Sequence, residues 1–420
     1  MRIIVTIKSK DVISIICKTL NKVDERLVNH GERVAYVIYK MLKYEGGFSK
    51  AFMDRVGLLA VMHDIGAYKT DEIDRLVEFE TKNVWQHSVY GSLFLKKLSP
   101  LAEFSDIVLY HHLPYDKFDK IECKYKQIAM MFSFVDRLDI YMQNNNFMVE
   151  RREGAVFKGS AFSPDVLELF YAANNEYGII NNLKNGSYLT EITEYIECCE
   201  FTEDEINAYL KMLAVVIDFR SEATVLHTIM TVNISLELVD FMNIDEYGRR
   251  AVYYGALLHD IGKISTPLSI LENPGRLTHE EMQVMKLHVS VSEEILRPYI
   301  NSEICDIAVR HHEKLDGSGY PYGLKADKLT PCQRAVAVAD ILSALTGVRS
   351  YKNGYSKERT VGIIKGMAEN NKISRDIADI VLVHYDEIMK NAEARSKKIR
   401  DIYSSISEEY EPLFVKCMAL

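Results

Sequence analysis

Ten of the chain's 12 histidines fall into two matched sets of five, and no other feature limits the fold as strongly. The first set is His30, His63, His87, His111 and His112. The second is His227, His259, His288, His311 and His312. Matching members lie 197, 196, 201, 200 and 200 residues apart, and an aspartate follows each set, Asp136 and Asp340, at a separation of 204. Both sets include His-Asp-Ile-Gly, at 63–66 and 259–262, and both include a His-His pair. Spacing held this closely marks a tandem duplication of one unit with small insertions.

Hydrophobic periodicity makes the repeated unit helical. Val225, Ile229, Val232, Leu236 and Val239 recur at spacings of four and three, one stripe of a helix, with Thr224 as its N-cap and His227 in its first turn. Val34, Val37, Ile38 and Met41 repeat the theme in the first half, and Val336, Ala337, Ile341 and Leu345 surround Asp340. Ala251 to His259 reads as a buried helix with Gly262 as its stop signal. Strand-like alternation is scarce, so the expected class is all-α, with two tandem helical bundles. Ser163-Pro164 reads as the start of the first unit's last helix and Ser374-Arg375 as its equivalent. Asn174 to Ser187, rich in Asn and Gly, reads as a loop, and Thr202-Glu203-Asp204-Glu205 as a capped helix start. The expected divisions are a first unit over 1–178, linker helices over 179–206, a second unit over 207–395 and a helical tail over 396–420 that packs outside or on a partner.

Composition excludes several classes. A chain of 420 residues, 48% hydrophobic and 26% charged, with only 9 Pro and 21 Gly, is globular rather than disordered or fibrous. A net charge of −9 without a basic block argues against duplex nucleic acid and anionic membranes as partners. The N-terminal segment is too short and too charged for a signal peptide, and no apolar run is long enough to insert in a membrane. Seven cysteines, odd in number and without a CxxC, fit the reducing cytoplasm.

From His259 to Asp340 the second set places His259, Asp260, His288, His311, His312 and Asp340, four His and two Asp, within 82 residues and on otherwise apolar helical segments. Buried imidazoles and carboxylates are costly unless paired or bound to metal, and together they suit Fe, Mn, Zn or Ni. Asp260 can bridge two ions while each His binds one. A bridged pair would polarise a phosphoryl oxygen and acidify the water between the ions, giving a hydroxide that attacks phosphorus without a protein nucleophile. Lys263, Arg349 and Lys352 are candidate phosphate contacts. The bland alternative for each is a solvated surface charge. Asp316-Gly317-Ser318-Gly319-Tyr320-Pro321 reads as a turn-rich lip over the site, from which Tyr320 could line the pocket or stack on a base.

His311-His312-Glu313-Lys314-Leu315-Asp316-Gly317-Ser318-Gly319-Tyr320-Pro321, with His259-Asp260-Ile261-Gly262-Lys263 and Arg349-Ser350-Tyr351-Lys352, resembles the signature of the HD-GYP phosphodiesterases, a branch of the HD metal-dependent phosphohydrolases. The resemblance covers about residues 220–385, and a weaker HD resemblance covers about 20–175. It implies tandem HD and HD-GYP helical bundles. It also implies two or three divalent ions, commonly iron or manganese, on His227, His259, Asp260, His288, His311, His312 and Asp340. Lys263, Arg349 and Lys352 would hold phosphates. The implied substrate is cyclic di-GMP, cleaved to pGpG and onward to GMP in some members. The alternatives are another nucleotide such as cyclic GMP-AMP, or a nucleotide sensor without turnover, with a homodimer through the first unit and terminal helices left open. Three-metal members have a Glu where Ala223 stands, with Glu222 one residue off, so two ions are expected. Ser292 replaces a common Gly, and Ser343 a common Asp.

The first unit keeps every ligand type, in His30, His63, Asp64, His87, His111, His112 and Asp136. It lacks the GYP loop, and Ala67, Asn145 and Met148 stand at the phosphate-contact positions. The expectation is a degenerate HD domain that binds metal and does not cleave the cyclic dinucleotide.

Overall fold

In the computed structural model several helices begin at a residue whose side chain accepts from one of the unpaired N–H groups, Ser49, Asp245, Thr278, Asn301, Thr330 and Ser356 among them. Residues 7–24, 27–69, 85–147, 161–221, 226–273, 275–347 and 354–420 are described. The helices are α1 (Ser9–Leu20), α2 (His30–Glu45), α3 (Lys50–Val61), α4 (Trp85–Leu98), α5 (Ser105–Leu109), α6 (Lys126–Asn144), α7 (Pro164–Tyr177), α8 (Ile179–Asn185), α9 (Tyr188–Glu197) and α10 (Glu203–Phe219). They continue as α11 (His227–Phe241), α12 (Glu246–Leu258), α13 (Leu268–Leu271), α14 (His279–Leu296), α15 (Ser302–Val309), α16 (Pro331–Thr346), α17 (Lys357–Glu369) and α18 (Arg375–Met418). Thr278 with Glu281 and Thr330 with Gln333 form capping boxes on α14 and α16, and Thr202 with Glu205 does so on α10. No strand occurs among the described residues, which hold one isolated bridge, Asp316 to Lys325. The all-α reading therefore holds.

The chain forms two compact units, one of Val12–Tyr209 with Ser404–Leu420 and one of Met1–Asp11 with Leu210–Tyr403. In the first, α2 packs on α3, α6 and α7, while α4 packs on α5 and the short 3-10 turn Ile65–Lys69. In the second, α11 packs on α12 and α16, and α14 packs on α15 and the matching turn Ile261–Ser265. Val34, Val37, Ile38 and Met41 are buried, as are Ile229, Val232, Leu236 and Val239. Each such side chain is worth about 1.5–3 kcal/mol of burial, so the two stripes hold the central helices in place.

Three expectations are revised by the fold. Asn174 to Ser187 is not a loop. Gly178 and Gly186, at φ 63° and 81°, separate α7, α8 and α9, and buried Ile179 and Leu183 give α8 an inner face. Residues 179–206 do not stand apart as a linker, since Asn182 donates to the Tyr36 hydroxyl at 2.8 Å and the Tyr195 hydroxyl donates to the Asp54 carbonyl at 2.7 Å. The tail after Ser404 groups with the first unit, where Tyr410 stacks on Tyr90 at 4.1 Å and Glu409 pairs with Lys97 at 2.6 Å.

Gly262 does something other than end α12. A Cβ there would lie 2.0 Å from the His288 carbonyl oxygen, and at Gly66 it would lie 2.0 Å from that of His87. Each glycine lets its turn press against the helix that carries the third histidine. Gly262→Ala and Gly66→Ala should each destabilise the protein by about 1–3 kcal/mol through overpacking. The affected unit's melting midpoint should fall by about 2–4 °C per kcal/mol. Unchanged melting would mean that turn and helix can part freely.

Candidate metal centre

His227 is the first residue of α11, and His259 and Asp260 follow α12 directly. His288 lies within α14, His311 and His312 follow α15, and Asp340 lies within α16. Leu226 before α11 adopts φ 65° in place of an N-cap, while the expected cap Thr224, with Glu222 and Ala223, lies outside the described residues. The cap comes instead from α10. Asp218 accepts from the Thr228 backbone N–H at 2.8 Å and from its hydroxyl at 2.9 Å. In the first unit Asn21 accepts from the N–H of Asn29, the residue before α2, at 2.8 Å.

Local backbone geometry sets the tautomers. His259, His288 and His311 each donate Nδ1–H to the carbonyl three residues earlier, at 2.7, 2.6 and 2.6 Å. Their Nε2 lone pairs therefore face inward. Asp260 divides them. Its Oδ2 is 3.6 Å from His227 Nε2 and 3.1 Å from His259 Nε2. Its Oδ1 is 3.3 Å from His288 Nε2 and 3.8 Å from His311 Nε2. Asp340 completes both sides, with Oδ1 3.0 Å from His227 Nε2 and Oδ2 3.6 Å from His312 Nδ1. An ion about 2.1 Å from each of two donors leaves them about 3.0 Å apart at a right angle and about 3.4 Å apart at the tetrahedral angle. The distances fit such edges. His259 Nε2 and Asp260 Oδ1 are buried without a hydrogen-bond partner, and the His288 and His311 lone pairs meet at 3.4 Å. A cation on each side relieves both costs.

The first unit gathers its seven predicted side chains in the same way. Asp64 Oδ2 lies 3.7 and 3.6 Å from His30 and His63, and Oδ1 lies 3.6 Å from both His87 and His111. Asp136 Oδ1 lies 3.2 Å from His30, and Oδ2 lies 3.7 Å from His112.

HD domains match residues 203–377 and 27–139. A 3′3′-cGAMP-specific phosphodiesterase of Vibrio cholerae is 28% identical over 87% of this chain and 89% of its own. A cyclic di-GMP phosphodiesterase of Thermotoga maritima is 32% identical over 54% of this chain and 65% of its own. A cyclic di-GMP phosphodiesterase response regulator of Xanthomonas campestris is 35% identical over 39% of this chain and 44% of its own. The crystal structure of a cyclic GMP-AMP-specific phosphodiesterase of V. cholerae matches 92% of this chain and 97% of that one with a TM-score of 0.55 at 14% identity, a likeness of fold. This chain belongs to the HD family, in its HD-GYP branch.

The electrostatics of the HD-GYP unit suit cation binding. Burial holds His288 down at about 4 and His312 at about 3, and it pushes His311 well below the usual imidazole range. These rings are neutral at pH 7 and keep their lone pairs. Burial opposes ionisation of Asp260 too, but His259 and Lys263 hold it well below the carboxylate range. Burial opposes charge on Lys263, yet Asp260, 2.5 Å from its Nζ, raises it. Lys263 is thus a fixed ammonium beside Asp260. Arg349 and Lys352 lie outside the described residues.

The GYP loop is pinned by a residue that motif reading left without a role. Buried Glu313 accepts from the backbone N–H groups of Tyr322 at 2.7 Å and Leu324 at 2.8 Å. A Cβ at Gly319 would lie 2.4 Å from the Lys314 nitrogen, so the loop folds tightly over His312. This sets the Tyr320 ring 4.7 Å from that of His312, with Lys286 Nζ 5.1 Å from the Tyr320 ring. Ser292 accepts from Gly262 N–H at 2.9 Å and donates to the His259 carbonyl at 3.0 Å, and Ser343 lies 3.1 Å from His227 Nδ1. Both substitutions noted in the sequence therefore buttress ligands. Glu313→Ala strands two N–H groups, so it should lower amide-exchange protection at Tyr322 and Leu324 by about ten- to a hundredfold, for bonds of about 1.5–3 kcal/mol to a charged acceptor. Unchanged protection would mean that the loop holds itself.

Proposed function

We propose that the HD-GYP unit hydrolyses a 3′,3′-linked cyclic dinucleotide with the help of two divalent ions, iron or manganese. The observation that supports this most is the division of the imidazoles between the two oxygens of Asp260. His227, His259 and Asp340 would hold one ion with Oδ2, and His288, His311 and His312 the other with Oδ1. Divalent cations held there supply Lewis acidity toward a phosphoryl oxygen and acidify water. The chain's own part is to hold the phosphodiester in line. Lys263 offers its ammonium to a phosphate oxygen beside Asp260, and Arg349 and Lys352 are proposed to do so from their segment. Tyr320, beside His312, offers a face to a base.

Cyclic di-GMP is the substrate first expected from the motif. A specific observation favours 3′3′-cGAMP as a second reading. The cGAMP-specific relative matches 87% of this chain, across both repeats, while the two cyclic di-GMP relatives match 54% and 39%. Anaerobically purified, metal-loaded protein offered both compounds should release linear dinucleotide. Faster cleavage of cGAMP selects the second reading, and tight binding of either without product would overturn the enzyme reading in favour of a sensor.

The bridge makes a sharper demand. Asp260→Ala should lose both ions and turnover together, as read by elemental analysis and product release, and full activity in a folded variant would refute bridging. Lys263→Ala should keep the ions while kcat/KM falls about ten- to a hundredfold, the equivalent of about 1.5–3 kcal/mol for one charged hydrogen bond. Unchanged kinetics would return Lys263 to a purely structural pairing with Asp260.

A further inference from the structure

The two ligand sets look alike until the residue after each final aspartate is compared. Asp136 matches Asp340, so Arg137 stands where the second unit has Ile341. Arg137 is only 7% exposed. Its Nη2 is 2.7 Å from His112 Nδ1, and its Nε is 3.6 Å from Asp136 Oδ2. A guanidinium has N–H donors and no acceptor, and it stays charged in proteins. His112 Nδ1 must therefore accept, which places the neutral ring's proton on Nε2. That Nε2 is 2.8 Å from His87 Nε2, so it donates there and takes up the inward lone pair of His87. A ring nitrogen that bears a proton has no lone pair for a metal.

Two of the four donors on the Oδ1 side of Asp64 are thus bonded to each other. Asp64 Oδ1 and His111 remain, and two protein ligands are fewer than the three or four that hold a structural or catalytic ion. In the HD-GYP unit the matching residue, Ile341, has no donor to offer His312, and the nearest carboxylate oxygen, Asp340 Oδ2, is 3.6 Å from His312 Nδ1.

The Oδ2 side is different. His30 donates Nδ1–H to Asp139 at 2.8 Å, and Arg33 pairs with the same carboxylate at 2.7 and 2.9 Å. His63 donates Nδ1–H to the Ala60 carbonyl at 2.7 Å. Both Nε2 atoms then face Asp64 and Asp136, buried and without a hydrogen-bond partner. The adjoining cavity, about 30 Å³, is lined by Leu20, Val23, Leu27, Val61 and Ala67 among others. That is room for about one water and not for a phosphodiester.

We propose that the first unit holds a single metal ion, on His30, His63, Asp64 and Asp136, and that the Arg137 guanidinium replaces the second. The ion is then a fixed part of the first unit, screened from substrate. This count concerns the first unit alone; it uses the proposed two ions of the HD-GYP unit only as an internal reference.

The test is metal content per chain in full-length protein, loaded anaerobically with Mn(II) or Fe(II), desalted and measured by elemental analysis. The parent should hold three ions. Arg137→Ile, which copies the second unit, should hold four, and Arg137→Lys, which keeps a cationic donor, should stay at three. His63→Ala should lose one. His112→Ala should lose none, because His112 is not a ligand, and this variant decides the matter if Arg137→Ile fails to fold. Four ions in the parent, loss of an ion with His112→Ala, or no gain in a folded Arg137→Ile protein would each overturn the proposal. Asp260→Ala reports separately on the HD-GYP unit. If it loses no metal, the reading of that unit fails while the His63 and His112 results still decide this one.

Discussion

A carboxylate has two oxygens, and the second unit is arranged so that Asp260 faces different histidines with each. Four imidazoles from four segments converge on one buried anion, and that convergence would be unfavourable without cations between them. Everything nearby serves it. Backbone carbonyls three residues before His259, His288 and His311 fix which nitrogen faces inward. Gly262 lets α14 come close enough to deliver His288, and Ser292 ties that contact from both sides. Asp218 reaches from α10 to cap α11 next to His227. The helices are scaffolding for a small set of inward-facing lone pairs.

The first unit keeps the scaffold and alters the chemistry by single residues. Ala67 stands where the second unit has Lys263 and offers no ammonium to Asp64. Leu113 replaces Glu313, so the position whose carboxylate holds the GYP loop is apolar in the first unit. Asp139 replaces Ser343 and joins His30 to Arg33 in a buried ion pair. A carboxylate behind a histidine raises its basicity as a ligand more than a hydroxyl does. The first unit therefore braces one side of its centre strongly, while on the other Arg137 occupies His112.

Helix content, the duplication and the side chains that gather at each centre were legible in the sequence because they depend on local periodicity and on residue types that have no cheap alternative role when buried. The expected loop between Asn174 and Ser187 was misread for a local reason. Asn and Gly signal turns, but Gly178 and Gly186 sit only at helix ends, and the residues between them bury Ile179 and Leu183. The tail was read as packing outside or on a partner because its charges are visible in sequence, whereas the Tyr90–Tyr410 stack that fixes which surface it packs on joins residues 320 positions apart.

The sequence by itself determined that there are two copies of one helical unit, which side chains each copy brings to its centre, and that only the second copy carries Lys263, Arg349 and Lys352. Ligand identity survives in the one-letter code, since only His, Asp, Glu and Cys make good donors for such ions. Tertiary structure alone decided the directions: which oxygen of Asp260 meets which ring, which ring nitrogen is proton-bearing, and that Glu313 holds the GYP loop. It also revealed Arg137 against His112, between residues 25 apart whose pairing no periodicity encodes. A hydrogen bond between side chains depends on distances of a few tenths of an ångström between separate helices, and those are set by packing rather than by order along the chain.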